Sequence, residues 1–107
     1  MKKRNSKNFR VNFAFTKTGA IRYISHLDLM RLLMRAARRG SLPLYFTEGF
    51  SPHPKLRIKK ALKLGLESEY EEAEIVLTRR INPLLFRYRL NRQLPEGIRI
   101  KKAKNLS

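Results

Sequence analysis

The chain has 107 residues, with 25 Lys and Arg against 8 Asp and Glu, for a net charge of +17. At 42% hydrophobic and 9% aromatic residues it has material for one small core, and too much of it for a disordered basic tail. It has no cysteine, so disulfides, zinc fingers, cysteine-ligated iron–sulfur clusters and thiol catalysis are excluded within this chain.

No apolar run approaches the roughly 18 residues of a membrane span. The basic start, residues 1–10, has no apolar run behind it and does not read as a secretory leader. A cytoplasmic protein with no membrane association is the expectation. The five glycines are too scattered to form a dinucleotide-binding turn. Residues 1–66 hold 16 basic and 2 acidic residues, whereas Glu67, Glu69, Glu71, Glu72 and Glu74 crowd into eight positions. A small folded domain of this charge suits a polyanionic partner, with RNA foremost.

In chain order, residues 1–8 read as a flexible basic arm. Phe9, Val11, Phe13 and Phe15 then alternate with Arg10, Asn12, Ala14 and Thr16, the period of a strand with one buried face. Residues 17–19 make a turn and residues 21–24 a short extended return. Ser25 and Asp28 form a capping arrangement that opens a helix. Leu27, Met30, Leu33, Met34 and Ala37 supply its buried side, and Gly40 closes it. Arg31, Arg35, Arg38 and Arg39 lie on another face.

Leu42 to Phe46 reads as a second strand, and residues 47–55 as a proline-stiffened loop. The acidic run reads as a solvated edge beside Lys59, Lys60 and Lys63. A third strand spans residues 73–78. Asn82-Pro83 opens a second helix, with Leu84, Leu85, Tyr88 and Leu90 buried and Arg87, Arg89 and Arg92 outward. Ile98 and Ile100 mark the fourth strand. The order βαββαβ predicts an α+β, ferredoxin-like split βαβ fold, an antiparallel sheet with two helices on one face. The single domain spans residues 9–104, with 105–107 as a tail. Arg10, Asn12, Arg99 and Lys101 are expected on the open sheet face. The strand phenylalanines point inward, so the aromatic platform of an RNA-recognition module is not expected there.

Two histidines are candidates for acid–base chemistry. His26 sits at a helix start, where the dipole favours a neutral imidazole. Paired with His53, and assisted by Tyr23 or Lys55, it could serve a metal-independent ribonuclease. The structural alternative places His26 on the surface and has His53 brace the proline loop. The loop Gly49-Phe50-Ser51-Pro52-His53-Pro54-Lys55 offers Ser51, His53 and Lys55 as phosphate donors on a rigid frame. Its structural alternative is a crossover with Phe50 plugged into the core. No metal site is expected.

Residues 22–31 (RYISHLDLMR), then Arg35-Ala36, Arg38-Arg39, Leu42-Pro43-Leu44, residues 49–55 (GFSPHPK) and residues 64–68 (LGLES) resemble the radical SAM-associated protein family. That family's domain stands alone or follows radical SAM proteins with a cobalamin-binding type of domain. It is about twice this length, so the chain resembles its N-terminal half. Residues 57–61 (RIKKA) are more basic than the family's usual run. The family's genomic neighbours tend to be RNA-processing and ribosome-related genes. The resemblance implies a radical SAM partner that itself carries the iron–sulfur cluster and S-adenosylmethionine. The fold and the histidine near the first helix are also similar to CRISPR repeat-processing endoribonucleases, an analogy of fold alone. The combined expectation is an RNA-binding accessory domain that presents tRNA or rRNA to such a partner. Arg22, Arg31, Arg35, Arg38, Arg39, Ser51, His53 and Lys55 would make its contacts. The alternatives are the His26/His53 endoribonuclease and a protein-interaction or ribosome-associated module.

Overall fold

In a computed structural model, residues 8–60 and 65–106 are described. The residues of the expected basic arm, apart from Asn8, and Lys63 lie outside them. The elements run β1 (Phe9–Lys17), a short 3-10 helix (Gly19–Tyr23), α1 (His26–Arg39), β2 (Leu56–Ile58), β3 (Ser68–Leu77), α2 (Pro83–Asn91) and β4 (Ile100–Leu106). The sheet order is β2-β3-β1-β4, with every pairing antiparallel. This is the ferredoxin-like arrangement, with β1 beside β4 as its topology requires.

Both helices cover one face. Val11, Phe13 and Phe15 of β1 meet Ala73, Ile75 and Leu77 of β3, and α1 and α2 close over them. Phe13 joins the layers, its ring 6.0 Å from Phe15 and 5.5 Å from Phe86. Tilted aromatic packing of this kind adds to area burial.

The buried seams differ from the expected ones. In α1 the buried residues are Leu29, Leu33, Ala36 and Ala37, while Leu27 is exposed. The seam follows i, i+4, i+7 from Leu29, whereas Leu27 stands in the first turn, turned away from that line. In α2 the buried residues are Phe86 and Leu90, with Leu84, Leu85 and Tyr88 exposed. Five apolar or aromatic residues in nine leave the periodicity of so short a helix ambiguous, and the register of Phe86 against Phe13 decides it.

The caps follow local chemistry. Ser25 Oγ accepts from Asp28 N at 3.1 Å, and Asn82 Oδ1 accepts from Leu84 N at 2.8 Å. Ser25→Ala is expected to cost about 0.5–2 kcal/mol, read as a lower urea midpoint with unchanged slope. At the other end of α1, Gly40 has φ −78°, and Ser41 (φ 60°) takes the left-handed position instead. Gly40 serves close approach: a Cβ there would lie 3.0 Å from Arg89 O of α2 and 3.2 Å from Ala36 O.

Leu42–Phe46 is not a regular strand. Pro43 has no N–H to donate, and the segment makes only the bridges Leu44↔Leu77 and Phe46↔Pro54. The chain then returns, and Leu56–Ile58 takes the edge position beside β3. Residues 21–23 are helical rather than extended, within the 3-10 helix. β3 starts at Ser68, so the acidic run enters a strand; Glu74 lies between β2 and β1, while Glu67 and Glu69 are exposed and Glu72 lies beside Lys59. β4 starts at Ile100 and continues to Leu106, so Asn105 and Leu106 belong to the sheet rather than to a tail. Asn91 pins its start, accepting from Ile100 N at 2.7 Å and donating to Ile100 O at 3.2 Å.

Candidate nucleic-acid interface

The open sheet face is not a bare basic surface. A register row runs Arg57, Glu74, Asn12, Lys104 across all four strands. Glu74, with its side chain only 12% exposed, lies 3.6 Å from both Arg10 and Arg57. Glu72 lies 3.9 Å from Lys59 and accepts from Tyr70 Oη at 3.0 Å. Lys102 lies over the Tyr70 ring at 5.7 Å. Glu74 and Glu72 therefore pair Arg10, Arg57 and Lys59, while Lys102 and Lys104 have no carboxylate within ion-pairing distance among the described residues. Lys102 and Lys104 share this face with Arg10 and Asn12, whereas Arg99 turns to α2 and donates to Asn91 O at 3.0 Å. An irregularity between Ala14 and Phe15 shifts the β4 register past Lys101.

Tyr70 is the outward aromatic that sequence reading missed, because β3 begins five residues before the expected start. The Glu72 hydrogen bond, then burial, then the carboxylate's charge, raise its pKa above the ordinary tyrosine value. The phenol is stabilised in its protonated form, so the contribution is whole below the unfolded tyrosine pKa. It fades as pH rises through the higher folded value. In a pH titration followed at the Tyr70 ring resonances, Glu72→Gln is expected to lower the pH at which this phenol ionises.

The helical layer holds its cations differently. Arg35 and Arg39 of α1 face Arg92, just past α2, across a cleft of about 370 Å³ floored by Leu32, Ala36 and Leu94. Among the described residues, no carboxylate lies within ion-pairing distance of these three guanidiniums. Arg92 donates to Tyr88 Oη at 3.1 Å, which props it at the cleft wall. Each guanidinium is a planar donor fork suited to phosphate oxygens. Three around one small cleft repel one another unless an anion enters. A second cleft of about 250 Å³ is lined by Arg79, Arg80 and Arg89 beside the start of α2. Arg89 already donates to Ser41 O at 3.1 Å, and Arg80 lies over the Phe9 ring at 5.4 Å.

The remaining sequence candidates divide by location. Arg22 stacks on Tyr23 at 4.6 Å, donates to Tyr23 Oη at 2.8 Å and to Gly19 O at 3.1 Å, and lies 3.7 Å from Glu67. Its donors are largely engaged within the protein. Arg31 lies 3.5 Å from Asp28. Arg38 lies over the Phe46 ring at 5.8 Å, on the side of α1 towards the proline loop.

That loop is a hairpin excursion. Thr47 N donates to His53 O at 2.9 Å, and His53 N donates to Thr47 Oγ1 at 3.2 Å. His53 Nδ1 lies 3.1 Å from Pro54 O, a contact that uses the Nδ1–H tautomer and braces the loop. Ser51, His53 and Lys55 are exposed on it. Phe50 is fully exposed at its tip and not plugged into the core.

His26 opens α1 near the Lys17/Ser68 end of the sheet, where Gly65 N donates to Arg22 O. His53 stands near the Phe9/Leu77 end. The length of β3 separates the two ends, about 30 Å for a ten-residue strand. The structure does not bring the two imidazoles together, and Tyr23 is held by Arg22.

The fold and the cleft together define a small, strongly basic α+β protein of ferredoxin-like topology, with an arginine-lined groove in its helical layer. The chain belongs to a family of uncharacterized proteins conserved in bacteria, DUF2344, which it matches over residues 10–107. No curated protein and no solved structure matches it. Among the described residues, no helix is long and apolar enough to cross a membrane, and no three His, Cys, Asp or Glu residues gather as a metal site.

Proposed function

We propose that the protein binds RNA through its helical layer, gripping backbone phosphates in the cleft of Arg35, Arg39 and Arg92, and presents that RNA to a partner enzyme. The observation that carries this reading is the gathering of three guanidiniums without a carboxylate partner in one cleft. It occurs in a chain of net charge +17, in which Arg10, Arg57 and Lys59 of the sheet face already lie against Glu74 and Glu72. Arg38 and the exposed Ser51, His53 and Lys55 extend the basic surface beyond α1. Phosphate contacts of this kind confer affinity and steep salt dependence rather than sequence choice.

The resemblance to the radical SAM-associated family supports a radical SAM protein as that partner. The chain has no cysteine for an iron–sulfur cluster, so cluster and S-adenosylmethionine chemistry belong to the partner in this reading. The same reading places both in the cytoplasm. It assigns no catalysis to His26 or His53, which stand at opposite ends of β3.

Fluorescence anisotropy with labelled single-stranded RNA, tRNA and duplex DNA across a salt series tests it. RNA binding that persists at roughly physiological salt, above that of duplex DNA, is expected. Equal binding to all three that disappears at that salt would contradict it.

A further inference from the structure

We propose that Phe50 is a base-stacking residue, so that the RNA bound by this protein presents an unpaired base to the hairpin tip while the arginines of the helical layer hold its backbone. The inference rests on the RNA-binding reading and narrows it to single-stranded or looped-out RNA.

Phe50 is fully exposed. It makes no contribution to the core, which explains nothing of why a phenylalanine stands there. The hairpin beneath it is held. Phe46 bridges Pro54, Thr47 and His53 exchange two hydrogen bonds, and Lys55 N donates to Tyr45 O at 3.1 Å. Pro54 is buried, and Pro52 restricts the descending limb. Gly49, at φ +119° with nothing within 4 Å of a Cβ, makes the reversal next to Phe50. The ring is therefore presented on a braced support, and little order remains to be lost on contact.

Its setting favours a nucleobase over an apolar protein pocket. Around the tip, Glu48, Ser51, Pro52, His53 and Lys55 are exposed and polar or small. The hairpin's other exposed aromatic, Phe46, lies under Arg38. Arg38 is adjacent in sequence to Arg39 and one turn from Arg35, so one side of the hairpin's foot is the arginine face of α1. An aromatic platform bordered by guanidiniums that can follow a phosphate backbone is the combination single-stranded nucleic acid requires.

The chain has no tryptophan, so Phe50→Trp introduces a single indole at the tip. The probes are a short unstructured oligoadenylate and an RNA duplex of equal length, each end-labelled. Anisotropy of the label and fluorescence of the indole are read in the same samples. Roughly twofold or greater quenching by oligoadenylate, with little change from the duplex, is expected. Phe50→Ala should weaken oligoadenylate binding by about tenfold without altering the salt slope, since stacking releases no counterions. RNA binding seen by anisotropy with an unquenched indole and wild-type affinity in Phe50→Ala would overturn the assignment and leave the arginine cleft standing. Unchanged RNA affinity, with loss of a copurifying protein in Phe50→Ala, would overturn it in favour of protein docking. No anisotropy change with any RNA would overturn both readings.

Discussion

Gly97→Ala is expected to lower the melting temperature by roughly 10–30 °C. Gly97 joins α2 to β4 at φ +98°, and its carbonyl accepts from Thr18 N at 3.0 Å and Thr16 Oγ1 at 2.9 Å. These bonds tie the last crossover to the end of β1. A Cβ there would lie 2.4 Å from Thr18 O and 2.7 Å from Ile21 Cγ2. The first atom is backbone and has nowhere to retreat without breaking the tie. The left-handed conformation costs about 1–2 kcal/mol for a residue with a Cβ, and the overlap adds about 1–3 kcal/mol. A domain this small has about 5–15 kcal/mol in total. Gly19→Ala separates the two terms. At φ +67° it has nothing within 4 Å of the added Cβ, so it should show only the conformational cost. Thermal melts of both variants by circular dichroism check the prediction. Equal shifts would mean the Thr18 approach is not the cause.

Replacing Arg35, Arg39 and Arg92 together by glutamine is expected to weaken RNA binding by about 10–100-fold near physiological salt. Each guanidinium removed forfeits one phosphate contact and the counterions it releases. Glutamine keeps the stems that cover Leu32 and Leu94 at the cleft floor, so the fold should survive. The three residues have no carboxylate partner among the described residues. Their loss therefore relieves repulsion, and the melting temperature is expected to hold or rise. Arg10→Gln with Arg57→Gln is the matched control, since both cations lie against Glu74. It should change affinity far less per charge removed. A control that loses as much as the cleft variant would show that net charge, not the cleft, attracts RNA.

The fold was legible where local chemistry and burial agree. β1 alternates in its residue types and buries Val11, Phe13 and Phe15 as expected, although Ala14, Thr16 and Lys17 are buried as well; α1 carries a serine cap and a row of buried apolar residues, and Asn82-Pro83 opens α2 as its residue types demand. The edge of the sheet was illegible for a physical reason. Leu42–Phe46 has the β-prone composition, yet Pro43 cannot complete a ladder, and three residues with an arginine in the middle, Leu56–Ile58, pair instead. The acidic run looked solvated because five glutamates in eight positions suit no isolated strand. Arg10, Arg57 and Lys59 hold Glu74 and Glu72 within the sheet, while Glu67 and Glu69 stay exposed. The site divides the same way. Arg35 and Arg39 could be placed on one helix face from spacing alone. Arg92 could not, because it joins them only in the folded chain, where the segment after α2 lies against α1 at Leu32 and Ala36. The separation of His26 and His53 is a matter of strand register, which two isolated residues do not reveal. Phe50 reads from sequence like any core phenylalanine, and only the hairpin geometry shows it outside.

The most direct test of the account is the slope of log affinity against log salt for single-stranded RNA, measured side by side on the unaltered protein and on the Arg35/Arg39/Arg92 glutamine variant. Three lost phosphate contacts predict a slope shallower by about 2, at roughly 0.7 per contact on single strands. Parallel lines of unchanged slope would contradict the assignment of the cleft as the phosphate grip.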